Sequence, residues 1–284
     1  SANGTLTPAF SNGSFSGLES FGLNVTAQDY ALAELPFPIP DVLSLTGRSN
    51  VTGRLTGSPT APNFRGDIQL ADLVVNSLAF EPQLAGTIDY TTAAGLALNV
   101  AGSSDRIALN AGPFEANNLE TNSDAIPPLD FNVNWQGAVA QGRTRGDLLS
   151  VTADNFPLAA LNFPADGVAG IGQLRGTLST PDLVVNLADA SLNGNIAIDQ
   201  LGVGYISAGQ LVGQVSYVND SATFTNGELR LSDNLYTVTG SLSLAGTTPT
   251  YNASINTSDG DVQDLLTALS IYTLEDFRRG LTPP

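Results

Sequence analysis

Five aspartates, Asp182, Asp189, Asp199, Asp220 and Asp233, are the side chains best suited to acid–base work. A pair of them at the right separation would be the acid and base of a glycosidase. No spacing among them stands out, and most sit beside Asn or Gly in turn-like context, so the sequence predicts no catalytic role for them. Arg143 and Arg145, in Gln-Gly-Arg-Thr-Arg-Gly, could meet an anion, and a solvated loop is the simpler reading. Calcium would suit an Asn/Asp-rich chain, yet no EF-hand loop and no Gly-Gly-x-Gly-x-Asp repeat is present. Asn-x-Ser/Thr triplets at Asn3, Asn12, Asn24, Asn50, Asn219, Asn252 and Asn256 are expected by chance in this composition.

The missing residue types exclude more chemistry than the present ones offer. The 284 residues include no His, Cys or Met, and all ten basic residues are Arg against 27 acidic ones, for a net charge of −17. Without Cys there is no disulfide framework and no thiolate metal site. Without His the commonest general base and metal ligand is absent. Without Lys there is no Schiff base and no P-loop lysine. These absences predict a chain that is not an enzyme and needs no cofactor. A surface this acidic lacks the footprint of a nucleic-acid binder, so nucleic acid is not an expected partner. It would also be repelled by anionic headgroups. The lack of Met even at position 1 points to a piece of a longer or processed chain.

Hydrophobic residues are 42% of the chain and charged residues only 13%, so solubility rests on Asn, Ser, Thr, Gln and Gly. No run of about 18 apolar residues offers a membrane span.

Period-2 alternation organises these residues. Ile68 and Leu70 share a parity, as do Leu78, Phe80, Leu84, Ile88 and Tyr90, then Leu96, Leu98 and Val100. Ile107 and Leu109 follow, and then Leu129, Phe131, Val133 and Trp135. Val215 with Tyr217 and Leu242 with Leu244 continue the pattern. Such alternation predicts strands with one apolar and one wet face. Turns are expected at Asn12-Gly13, Ser58-Pro59, Asn193-Gly194, Asn226-Gly227 and Ser258-Asp259-Gly260. Usual strand lengths then give roughly 20–25 strands. One helix is expected from Asp261 onward, with Val262, Leu265, Leu266, Leu269 and Tyr272 on one stripe. Asp259 or Asp261 can cap it, and Arg278, Arg279 and Gly280 can end it. It would either cover an end of the sheet or lie within its lumen.

The chain also repeats itself. Asp29–Pro38 matches Asn155–Pro164, Gly53–Pro62 matches Gly172–Pro181, and Leu84–Tyr90 matches Leu211–Tyr217. With Pro-rich breaks at 36–40 and 126–128, this predicts four parts. They are the end of a β module at 1–40, repeat modules at 41–164 and 165–258, and the helix at 259–284. A sheet with one apolar face needs a cover, and almost no helix is available. The sheet must close into a barrel, pack as a sandwich, stack as a β-helix or curl into a U.

The stretch Leu45–Leu70 carries the wording G-x-L-x-G-(T/S)-x-x-x-P-x-x-x-G-x-I/L-x-L. Gly172–Val185 repeats its first half. In this wording the chain resembles the repetitive β region of TamB-like proteins, relatives of AsmA. Its last segment, from Asp261, is similar to one in cyanobacterial and plastid members. The resemblance implies an all-β fold, an elongated multi-stranded sheet curled into a U-shaped groove (a β-taco) with an apolar lumen, plus one short C-terminal helix. It implies a periplasmic or intermembrane location and an inner-membrane anchor outside these residues. It also implies an Omp85-family outer-membrane partner met through other regions. The implied function is bridge-like phospholipid transport, assistance to outer-membrane protein assembly, or both. The expected partners in the lumen are phospholipid acyl chains, lined by Ile68, Leu70, Leu78, Phe80, Leu84, Ile88, Tyr90, Leu96, Leu98, Val100, Leu129, Phe131, Val133, Trp135, Val215, Tyr217, Leu242 and Leu244. The alternative is a structural or adhesive β-solenoid that holds no ligand.

Overall fold

A computed structural model describes residues 1–11, 14–34, 44–113, 128–161, 174–203, 206–207, 209–231, 233–244, 250–258 and 260–268. The protein is all-β, as the alternation predicts, and its contacts divide it into two compact units, Ser1–Asp147 and Leu148–Pro284.

Among the described residues the first unit is an antiparallel meander of ten strands. They are β1 (Ala2–Ser11), β2 (Ser14–Ala31), β3 (Leu45–Ser58), β4 (Ala61–Val75), β5 (Leu78–Ala79), β6 (Gln83–Thr91), β7 (Gly95–Ala101), β8 (Arg106–Ala111), β9 (Leu129–Trp135) and β10 (Ala138–Arg145). Each pairs with its neighbour in sequence, except that β4 takes both the two-residue β5 and the longer β6. Several strands run far past the usual length, 18 residues in β2 and 15 in β4, so fewer strands use the same chain than the average length implies.

The second unit repeats the scheme with β11 (Leu148–Pro157), β12 (Leu174–Asn186), β13 (Ser191–Val203), β14 (Ile206–Ser207), β15 (Gln210–Val218), β16 (Ser221–Leu231), β17 (Asn234–Ser243) and β18 (Thr250–Asn256). Here β13 takes the short β14 and the longer β15, as β4 does in the first unit.

The internal repeat has a physical counterpart in the bulges. Asp29 (φ 57°) and Asn155 (φ 52°) are left-handed residues at register breaks in β2 and β11. Such a residue re-aims the strand, and Asn and Asp tolerate the conformation best. Each strand then ends in a 3-10 turn, Leu32–Glu34 or Leu158–Leu161, whose first leucine is buried. Gly47 and Gly176 occupy equivalent places opposite those ends, with φ of 125° and 115°. A side chain there would drive its first carbon to 2.9 Å from the Asp72 carbonyl oxygen or 2.5 Å from that of Asp199. Sheet position therefore pairs Gly176 with Gly47, whereas the sequence match pairs it with Gly57. Gly57 stands at the far end of β3, beside the Ser58-Pro59 turn.

Two expected turns are corrected. Asn193-Gly194 lies inside β13, paired to Ser216 and Val215. Asn226 (φ 52°) forms a bulge within β16, where the register slips between Phe224 and Gly227. An Asn-Gly pair serves a hairpin or a bulge equally well, because both need a left-handed residue. Asn219-Asp220 and Gln136-Gly137 make tight turns instead, with φ positive at both residues of each pair. Asn12-Gly13 and Asp259 lie outside the described residues.

The helix α1 (Val262–Ala268) starts where predicted, with Asp261 Oδ1 accepting the Gln263 amide at 2.8 Å. Its expected continuation through Leu269, Tyr272 and Arg278 lies outside the described residues.

Candidate functional site

Tracing partners across the first unit collects apolar residues into rows, because residues directly opposite in a ladder share a face. One row runs Leu23, Leu55, Phe64, Tyr90, Leu96, Ala111, Leu129. The next runs Val25, Gly53, Gly66, Ile88, Leu98, Leu109, Phe131, Gly142. A third runs Val51, Ile68, Gly86, Val100, Ile107, Val133, Ala140, and a fourth begins Ser49, Leu70, Leu84. The opposite face carries Asn24, Thr26, Thr52, Arg54, Arg65, Asp67, Thr87 and Asp89 around a shallow depression of about 690 Å³.

Several glycines in the apolar rows are roofed by aromatic rings. A carbon added at Gly53 would come within 2.6 Å of Phe64 Cζ, and one at Gly142 within 2.3 Å of Phe131 Cε1. In the second unit Phe224 covers Gly213 and Gly227 in the same way. The rings supply the apolar surface the glycines lack.

Burial is graded across this face. In the fourth row Leu84 is fully buried and Leu70 is 6% exposed; in the third, Val100 is fully buried. Every large side chain of the first two rows is only half-buried. The buried border is closed by Leu73, Leu78 and Phe80, whose chain folds back over β4 through the Phe80 N–H to Leu73 O bond of 2.9 Å. Trp135 Nε1 donates to Ala79 O at 2.8 Å and ties that corner to β9.

Two carboxylates hold the corner together. Asp105, 1% exposed, accepts the amide of Glu81 at 2.9 Å and that of Gln136 at 2.8 Å. Glu81 accepts the Ser104 hydroxyl at 2.8 Å and the amides of Ser103 and Ser104. The Ser104 hydroxyl, helped by the backbone donors and opposed by burial, holds the Glu81 carboxyl below the usual glutamate range. A carboxyl lowered on folding stabilises above its unfolded pKa, and that contribution disappears as pH falls through the folded value. Urea midpoints should therefore fall on acidification below the ordinary glutamate range. Glu81→Gln should flatten that acid limb; an unchanged limb would show that Glu81 does not contribute.

The second unit shows the same grading. The corresponding row is Phe156, Leu178, Ile198, Leu211, Leu229, Tyr236, of which Ile198, Leu229 and Tyr236 are buried, and α1 lies against its Leu229–Tyr236 end. Ala268 packs against the cluster of Leu229, Leu231 and Tyr236, and the Tyr236 hydroxyl donates to Asp261 O at 3.0 Å. Toward the other border Leu149, Val185, Leu192, Tyr217, Ala222 and Leu242 are half-buried.

The eighteen residues expected to line a groove divide by burial. Ile68, Leu70, Leu78, Phe80, Leu84 and Val100 are core. Ile88, Tyr90, Leu96, Leu98, Leu129, Phe131, Val133, Trp135, Val215, Tyr217, Leu242 and Leu244 keep accessible surface. Leu23, Leu55, Phe64 and Leu192 belong with the second group and lie outside the eighteen expected positions. In β2 and β3 the alternation is diluted by Gly, Asn and Thr, and in β12 and β13 register breaks interrupt it.

The aspartates considered for catalysis have structural duties. Asp182 accepts both the amide and the Nδ2 of Asn195, and Asp199 accepts Gln210 Nε2 at 2.9 Å. Asp189 accepts the Ser191 amide, and Ser191 holds its carboxyl below the usual aspartate range. The Tyr217 hydroxyl donates to Asp220 at 3.1 Å, and the aspartate pushes the tyrosine pKa up. Asp233 is exposed. Arg143 is paired with Asp130 through its Nε at 2.7 Å. Among the described residues no group of three acidic side chains is placed to hold a metal ion. Comparison with protein-family models, curated proteins and solved structures finds no match to this chain.

Proposed function

We propose that this chain is a segment of a TamB/AsmA-like lipid carrier whose apolar face takes phospholipid acyl chains. In that setting it lies between two envelope membranes, and an Omp85-family protein is met by other regions of the polypeptide. The observation that carries the reading is the one-sided cover of the apolar rows. Tyr90, Leu96, Ile88, Leu98 and Phe131 form a contiguous half-buried surface bounded by a closed border and an open one. A continuous apolar patch left in contact with water is costly unless something covers it. The seven strands from β3 to β10 that share these rows extend on the order of 30 Å at usual strand spacing. One leaflet of a bilayer is about 15 Å of hydrocarbon, so a row has room for an acyl chain. The headgroup would stay at the open border in water. The two half-buried rows present no charge, and the Tyr90 phenol is their one polar side-chain group, which suits passage rather than capture.

The test is binding of fluorescent phospholipid by the purified chain. The native protein should co-elute with lipid. Leu98→Asp, placing a carboxylate in the middle of the half-buried rows, should reduce bound lipid about tenfold or more while the β-sheet circular dichroism is retained. Leu98 is a better probe than Phe80, whose ring is part of the core and whose loss would unfold the corner. A native chain that carries no lipid would end the reading and leave the ligand-free scaffold.

A further inference from the structure

The hairpin of β1 and β2 runs past the sheet. Pairing of β2 with β3 begins at Phe21, opposite Gly57, so residues 14–20 of β2 pair only with β1. Along this extension the ladder pairs Leu6 with Phe21, Pro8 with Leu18 and Phe10 with Phe15. Two register breaks, between Thr7 and Pro8 and between Ala9 and Phe10, leave Glu19 and Ser16 unopposed. Each break shifts the parity of β2 by one residue, and without them Leu18 would turn to the wet face. With them, the apolar pairs continue the face on which Leu23 lies, beyond the open border.

This is also the barest apolar surface in the unit. Leu6 is 56% exposed, Phe10 65%, Phe15 66% and Leu18 38%. The two phenylalanine rings meet edge to face at 6.3 Å. In a chain of net charge −17, residues 2–18 contain no charged side chain.

We propose that this hairpin lies on a bilayer surface, its apolar ladder at the headgroup–acyl boundary, and joins the membrane to the half-buried rows. The occupant follows from continuity with those rows and so rests on the acyl-chain reading above. Glu19 is the one charged side chain of the extension, and so little charge fits a zwitterionic surface, since the rest of the chain is repelled by anionic lipid. From Leu6 to Phe10 the ladder is about 13 Å long, enough to lie along the interface. It does not cross the hydrocarbon, because its strand edges keep polar backbone groups that need water or headgroups.

The chain has no cysteine, so one can be introduced at a chosen place and labelled with a polarity-sensitive dye. Dye on a Ser14→Cys variant should shift to the blue on phosphatidylcholine vesicles, and dye on Ser150→Cys in β11 should not. The double variant Phe10→Ser, Phe15→Ser should lose about tenfold or more of the vesicle partition. Adding anionic phosphatidylglycerol should weaken binding. Absence of vesicle binding, or equal binding by the double variant, overturns the inference. So does self-association without vesicles that the double variant abolishes, which would make a second copy the occupant. The two readings fail separately. A double variant that retains phospholipid but binds vesicles like the native chain sinks only the hairpin's role. A native chain that binds vesicles through Phe10 and Phe15 but carries no phospholipid sinks only the groove.

Discussion

Asp105→Ala should lower the unfolding free energy of the first unit by about 3–5 kcal/mol, read from urea transitions. The carboxylate is 1% exposed and accepts two amides from different loops, Glu81 before β6 and Gln136 at the β9–β10 turn. Its own carbonyl accepts the Gly102 amide at 2.8 Å, closing the β7–β8 turn. Removing the side chain strands two donors in a place water reaches poorly, and each stranded donor costs about 1–3 kcal/mol. Asp105→Asn should recover only part of the loss. Its single carbonyl oxygen can replace one acceptor, while its amide group meets the other N–H donor to donor. Hydrogen exchange should show the Glu81 and Gln136 amides losing protection first. Transitions of both variants within about 0.5 kcal/mol of the native chain would contradict this account.

Gly86→Ala should be among the most damaging methyl additions at the described glycines, costing about 4 kcal/mol or preventing soluble expression. Gly86 sits in the middle of β6, opposite Ile68 and Val100. An added carbon would stand 1.8 Å from Asn99 O and 2.8 Å from Val100 Cα, and both are backbone. The β6–β7 ladder would have to part to admit it. Gly22→Ala is the control, since its new carbon would meet nothing closer than the Thr5 hydroxyl at 3.4 Å. That variant should be neutral or slightly stabilising, because alanine gives up less chain entropy. Gly213 holds the place of Gly86 in the second unit, where the obstacle is the far edge of the Phe224 ring at 2.4 Å. A ring can turn aside, so Gly213→Ala should cost less than Gly86→Ala. Equal damage at all three positions would show that strand propensity, and not the close approach, sets the effect.

Much of this architecture is legible in the residues themselves. The ladders join the alternating residues of β4, β6, β7 and β9 in shared rows, because the period of two is a property of a single extended strand. The repeat is visible for a similar reason. Tyr90 and Tyr217, or Asp29 and Asn155, mark local geometry that each copy must reproduce. What the alternation concealed are the register breaks. Asn226-Gly227 has the same local preference whether the flanking segments pair with each other or both with β17. The choice depends on partners far along the chain, and period-2 counting across the bulge gives the wrong face.

The amino-acid order specified a β chain, the alternating side chains that share a face within each regular stretch of strand, and a scarcity of the usual acid–base and metal-binding residue types. It did so because composition and parity act within one strand. Which part of the apolar face is core and which stays open is settled by long-range contacts. Leu84 and Leu98 are both leucines on the same face, yet one is fully buried and the other half-buried. The difference comes from a corner built by Phe80, Trp135 and Asp105, brought together by bonds that span up to 56 residues. Closing one border of a sheet is a long-range event, settled by which loops fold back over it, and no short window of residues carries that information.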